Sequence, residues 1–240
     1  MKDICSFQRI EKKFWLDEKQ CQQLLPTLYE HLKADEYGKS DISNIYYDTN
    51  DCYLIRRSIE RPQFKEKLRL RCYGKISDDQ KVFIELKKKY DGIGYKQRLV
   101  TDYRQAKRLL EGKRIDSDRP KTETEIINMV KRYGLSKKIY VGYKRIAMYD
   151  PSDPNLRVTL DSDICFGDWD ESEQKALNLQ SLMDDRHQIL MEIKTSASIP
   201  SWLLKEMERL NIYQAPFSKI GASLAKMNDS IEYQGVSYVK

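Results

Sequence analysis

The chain has 240 residues, 43 of them Lys or Arg against 37 Asp or Glu, for a net charge of +6. With 40% hydrophobic and 33% charged residues it is no disordered polyelectrolyte, and its length suits one sizeable core over 1–240. No run approaches the ~18 consecutive apolar residues of a membrane span. The opening MKDICSFQRIEKKF lacks the apolar core of a signal peptide, so a cytoplasmic protein is expected.

Cys5, Cys21, Cys52, Cys72 and Cys165 are odd in number and never at CxxC spacing, which argues against a disulfide framework or a thiolate zinc site. Only His31 and His187 are present, too few for a histidine metal site or a serine-type triad. The GxxxxGK[ST] phosphate loop is also missing.

In chain order, alternation of apolar and polar residues predicts a first strand at 7–14. A helix follows over 17–32, capped by Asp17 and expected to bend at Pro26. Strands at 44–47, 65–73, 82–90 and 95–103 come next, the last three joined by turns at GKISDDQK and DGIG. Helices are predicted at 104–110 and at 122–133, the latter opened by the capping pattern TETE and closed by Gly134. Strands at 138–149, 157–166 and 188–195 complete a set of at least eight, with the polar stretch 168–186 expected as a loop or surface helix. Two short helices, SWLLKEMERL and FSKIGASLAKM, close an α+β domain.

Period two sorts the charges. Lys65, Lys67, Arg69 and Arg71 share one face opposite Leu68, Leu70 and Cys72. The same division puts Arg9, Glu11 and Lys13 on one face of the first strand. It groups Glu85, Lys87 and Lys89 on a later strand, and Lys96 and Arg98 on the next. Tyr143 with Arg145, Arg157 with Thr159 and Asp161, and Glu192 with Lys194 complete the pattern.

A sheet with one solvated face produces the same alternation. The excess of cations over Glu11, Glu85, Asp161 and Glu192 goes further: adjacent cationic strands repel, and a polyanion is the natural counter-charge. Same-face residues recur every ~6.6 Å, a spacing that suits a chain of phosphates. If the sheet closes with charges inward and helices outside, the result is a cationic channel. A basic face in a chain with sixteen tyrosines also suits a single-stranded nucleic-acid binder.

The segments RIEKKFW, SNIYYDT, KLRLRCYG, FIELKKK, GYKRIAMYD, RVTLD, LMEIKT and FSKIG, in that order, resemble the VTC (vacuolar transporter chaperone) polyphosphate-polymerase domain of the CYTH-like triphosphate tunnel metalloenzymes. The resemblance implies an eight-stranded antiparallel β-barrel with surrounding helices. It implies transfer of the γ-phosphoryl group of ATP to a growing polyphosphate chain with help from Mn²⁺ or Mg²⁺. The catalytic cations it implies are Arg69, Arg71, Lys87, Arg145 and Arg157. Phosphate-binding positions fall on Lys13, Ser218 and Lys219, joined by Arg9, Lys67, Lys89, Lys96, Arg98 and Lys194. Tyr143 would support the nucleotide base or merely pack, and Glu192, helped by Glu11, would hold the metal.

By this resemblance the ligands are ATP and inorganic polyphosphate rather than nucleic acid. A membrane-protein partner would export the product, with the domain at the inner face of that membrane.

The hydrolase and cyclase branch opens with Glu-x-Glu-x-Lys, whereas this strand reads Arg9, Glu11, Lys13. One metal-ligating carboxylate is replaced by a cation, which favours the polymerase branch. A tunnel triphosphatase, a nucleotide cyclase and a non-catalytic polyphosphate or nucleic-acid binder remain the alternatives. Glu85 and Asp161 read as salt-bridge partners spacing the cations, and Ser218 doubles as a helix N-cap.

Overall fold

The structure is a computed structural model that describes residues 10–60 and 62–227, together with the main chain of 5–7. Chain order runs β1 (Cys5–Phe7), β2 (Ile10–Leu16), α1 (Glu18–His31), β3 (Lys33–Asp48), α2 (Tyr53–Ile59), β4 (Phe64–Tyr73), β5 (Lys81–Tyr90) and β6 (Ile93–Asp102). It continues with α3 (Tyr103–Leu110), α4 (Pro120–Tyr133), β7 (Ser136–Tyr149), β8 (Arg157–Asp170), β9 (Lys175–Ser181), β10 (Ile189–Thr195), α5 (Ser201–Arg209) and α6 (Lys219–Met227).

The strands form one antiparallel sheet in the order β1-β6-β5-β4-β3-β7-β8-β10-β2, with β9 attached to β8. Its two end strands, β1 and β2, follow each other in the sequence. The sheet therefore curls so that its two ends approach each other; no ladder among the described residues joins β1 to β2. The expected eight-stranded barrel is present as β2–β8 and β10, to which β1 and β9 are short additions.

Helices pack on the outside of this curl, α1 and α5 on one flank, α3 and α4 on another, and α2 with α6 on a third. Three apolar clusters fill the space between sheet and helices. One holds Leu68, Leu70, Ile84 and Leu99 under α3 and α4; the second holds Leu16, Leu24, Val158 and Met191. The third holds Ile42, Val141, Phe166 and Ile220. Fully burying each such side chain stabilises the fold by about 1.5–3 kcal/mol. The apolar faces thus point outward into helices, which leaves the charged faces to line the interior.

Local chemistry explains most element ends. Asp17 caps α1 in a reciprocal box with Gln20, at 2.6 and 3.0 Å. The helix runs through Pro26 as one element instead of breaking, held by Cys21, Leu24 and Leu28 packed on the sheet. The DGIG turn has Asp91 and Gly92 both at positive φ, as a two-residue hairpin with matching twist requires.

Four expectations are corrected. The stretch 168–186 is neither loop nor helix, because β8 runs on to Asp170 and hairpins into β9, whose side chains are mostly exposed and give no burial pattern to read. Gly167 permits the pairing, since a Cβ there would lie 2.3 Å from the Leu177 carbonyl oxygen. β3 begins at Lys33, with a polar first half carrying an irregularity between Ala34 and Lys39. α4 opens at Pro120, so TETE lies inside it; Glu123 accepts instead from the Ile115 N–H and the Ser117 hydroxyl. Finally, α2 has no signal in its own sequence: the buried carboxylate of Asp48, on the preceding strand, accepts from the N–H groups of Leu54 and Ile55 at 2.9 and 2.8 Å.

Candidate phosphate channel

Inside the curl lie two contiguous cavities of about 540 and 280 Å³, both lined by Lys67, Arg71, Lys87, Lys96, Arg145 and Lys194. The charged faces predicted from alternation do converge. They are not equivalent, however.

One wall, built from β2, β7, β8, β10 and α6, carries its own acids. Arg145 donates Nε and Nη2 to the two oxygens of Asp161 at 2.6 and 2.7 Å. Lys219, which α6 inserts from outside the sheet, places Nζ 2.6 Å from Asp161 and 3.0 Å from Glu192. Glu192 also lies within 3.5–3.7 Å of Lys194, Lys13 and Arg145. Burial alone would raise both carboxyls. The ammonium of Lys219 and its cationic neighbours outweigh burial and hold Asp161 below, and Glu192 well below, the usual carboxylate range. Burial likewise disfavours the Lys219 ammonium, and the two acids hold it up.

The acid of the opposite wall is Glu85 of β5, fully buried. It accepts from Arg69 at 2.5 and 2.8 Å and from Arg98 at 2.7 and 3.0 Å, with Lys96 Nζ at 2.6 Å. Burial pushes this carboxyl up, but Arg69, Arg71 and Lys96 drive it far below its ordinary value.

Beyond Glu85 this wall is cationic. Lys67 of β4 faces Lys87 of β5 in register, and Lys87 faces Lys96 of β6. Neither Lys67 nor Lys87 makes a hydrogen bond or ion pair with a described residue. Burial, then the charges of Lys65, Lys13 and Arg69, bring Lys67 down to about 7. The charge of Arg69, then burial, sends Lys87 well below the ordinary lysine value. Burial lowers Lys96 to about 8 in spite of Glu85. Arg71 joins this wall, because its guanidinium donates only to neutral acceptors, Asn44 Oδ1 at 2.9 Å and the Tyr143 hydroxyl at 3.0 Å.

The remaining predicted residues fall around these two walls. Lys13 Nζ donates to the Phe217 carbonyl at 2.9 Å. Arg157 stands at the wide mouth, half-exposed, 2.7 Å from Asp35. Lys89 lines the wider cavity next to Lys65 in register. Ser218 Oγ accepts from the Gly221 N–H at 3.2 Å, the helix-capping role. Tyr143 is buried, with Arg145 and Lys219 at 5.1 and 4.9 Å from its ring centre, so it packs among cations and offers no open ring to a base. Burial would raise its phenol; Arg71 and Arg145 prevail and lower it. Arg9 lies outside the described residues.

Sequence reasoning missed Asn44 and Tyr46, which orient Arg71 and Arg69. Their signal was present, since both alternate with the buried Asp48 along SNIYYD.

Among the described residues no three His, Cys, Asp or Glu side chains cluster as a metal cage. Glu192 and Glu11, on neighbouring strands with Glu11 opposite Lys194, fit a different donor set. A hard divalent ion held by one or two carboxylates takes its remaining ligands from water and substrate phosphate.

A family model described as "VTC domain" matches residues 8–228. Subunit 4 of the vacuolar transporter chaperone complex of Schizosaccharomyces pombe is 24% identical over 189 residues, 66% of this chain and 26% of that protein. The chain thus spans about a quarter of that relative's length. Among solved structures, a "putative adenylate cyclase" from Bacillus halodurans superposes with a TM-score of 0.55 at 14% identity, covering 89% of this chain and 95% of the other. A similarly described protein from Vibrio parahaemolyticus gives 0.49 at 12%, over 92% and 100%. The first likeness establishes a shared fold. No described helix is long and apolar enough to cross a membrane.

Proposed function

The chain belongs to the VTC-domain family, and from that premise we propose that it is a polyphosphate polymerase. The observation that carries this reading is the cationic stretch of the β4–β5 wall: Lys67 and Lys87, which form no hydrogen bond or ion pair with a described residue, beside Arg71 on neutral partners. Such a row binds phosphate after phosphate along one line, which a single-nucleotide hydrolase does not need.

In the reaction, a terminal oxygen of the bound polyphosphate attacks the γ-phosphorus of ATP. A new P–O bond forms, the bond from the γ-phosphorus to the β,γ-bridging oxygen breaks, and ADP leaves with that electron pair. The attacking oxygen is already ionised near pH 7, so no general base is required. The protein's work is positioning and charge neutralisation. Arg69, Arg71 and Arg145 offset charge on the triphosphate, and Lys67, Lys87 and Lys96 hold the acceptor chain. A divalent ion, Mn²⁺ or Mg²⁺, held by Glu192 with Glu11, would neutralise triphosphate oxygens.

A hydrolytic use of the channel is less well supported. Glu192, surrounded by four cations, is a weak base for activating water. Incubation with ATP and Mn²⁺ tests the reading: long-chain polyphosphate and ADP are expected. Orthophosphate released from inorganic tripolyphosphate, with no polymer from ATP, overturns it. We further propose a cytoplasmic location and a membrane-protein partner that takes up the product.

A further inference from the structure

Among the described residues that line the two cavities, one neutral side chain has a buried polar atom without a hydrogen-bond partner. Thr159 sits on β8 between Arg157 and Asp161, so the three side chains share the lumen face. In register it stands between Ala147 of β7, which offers only a methyl group, and Glu192 of β10. The residue is 6% exposed and lines the wider cavity, yet its Oγ1 has no hydrogen-bond partner. A buried hydroxyl without a partner lowers stability, and valine, of the same shape, would fill this position without that cost.

We propose that Thr159 is a phosphate-binding residue of the channel, whose hydroxyl donates to a non-bridging oxygen of a bound phosphate. Oγ1 itself is shut off from solvent, so the contact requires rotation about χ1 to exchange methyl for hydroxyl, between the two rotamers common in strands. The placement gives the contact a distinct purpose. Ammonium groups act as point charges and let a polyanion slide, whereas a hydroxyl bond is directional. Thr159 would register one phosphate between the level of Arg145 and Asp161 and the level of Arg157. The proposal rests on the reading of the channel as a phosphate-binding cavity.

The test uses the full chain, with Thr159→Val and Thr159→Ser, titrated with inorganic tripolyphosphate by calorimetry and melted without ligand. Thr159→Val is expected to bind about five- to tenfold more weakly while melting no lower than the unsubstituted chain. Thr159→Ser is expected to bind as the unsubstituted chain does. Unchanged affinity in Thr159→Val overturns the proposal. So does a lower melting temperature with no rescue by serine, which marks a structural role. Tripolyphosphate binding without polymer synthesis from ATP overturns the polymerase reading alone. Polymer synthesis with unchanged Thr159→Val affinity overturns the threonine's role alone, and a chain that binds no tripolyphosphate overturns both.

Discussion

The two walls of the channel contain the same residue types, and they solve opposite problems. On the β7–β8–β10–α6 wall every cation is matched: Arg145 and Lys219 share Asp161 and Glu192, and the cluster is self-sufficient. On the β4–β5 wall, Lys67 and Lys87 face each other in register and form no ion pair with a described residue. A buried ion pair costs much to break, whereas like charges held close without partners repel one another until an anion arrives. One wall is therefore built for rigidity and the other for anion uptake.

That contrast is broken most severely at Glu85, the acid on the β4–β5–β6 wall that pairs with Arg69, Arg98 and Lys96. Glu85→Gln strands Arg69, Arg98 and Lys96 at once and should cost about 3–5 kcal/mol of stability, read as a lowered denaturation midpoint. Next comes Glu192→Gln. With a divalent ion held there, polymer synthesis should fall by at least about a hundredfold, while calorimetric tripolyphosphate affinity stays within about threefold. Equal loss of both would refute the metal role. Lys87→Met should act the other way round. Unliganded stability is unchanged or higher, because repulsion from Arg69, Lys194 and Lys96 is relieved, and tripolyphosphate binding weakens by about tenfold.

The smallest effect is the dependence on pH. Lys67 and Lys96 titrate near 7 and 8 in the fold, below the ordinary lysine value of 10.5. Their ammonium forms attract phosphate, so affinity is full below about pH 7 and declines several-fold as pH rises through 7 to 8. Stability has the opposite sign. Between these values and about 10.5 the unfolded chain binds more protons than the fold, so unliganded stability rises with pH over that window. A melting temperature and an affinity that moved in the same direction between pH 6.5 and 8.5 would show that these lysines are not the controlling groups.

Which face each charge occupies was legible in the sequence, because a period of two needs no knowledge of neighbours. Which charges are neutralised was not. Lys67 and Arg69 are two positions apart on one strand and look alike in KEKLRLR, yet register sets Lys67 opposite Lys87 and Arg69 opposite Glu85. Alternation also says nothing of Lys219, which enters from a helix; only the FSKIG segment's resemblance pointed to it. α2 escaped because its cap is Asp48, contributed from outside the helix, and β9 because an exposed hairpin buries no face. Thr159 was visible as a polar lumen residue, but its lack of a partner depends on Ala147 being its neighbour.

The placement of β1 and β2 at opposite ends of the sheet has a consequence for assembly. β2 precedes β3 to β10 in the chain, yet its ladder partner is β10, and Lys13 reaches the Phe217 carbonyl across 204 positions of sequence. Until β10 has emerged, β2 has no ladder partner and the lysines of the β4–β5 wall are not enclosed on that side. Such non-local closure is slow. A polyanion present during translation would meet these lysines before β2 and β10 pair, and could act as a template on which the last strands dock.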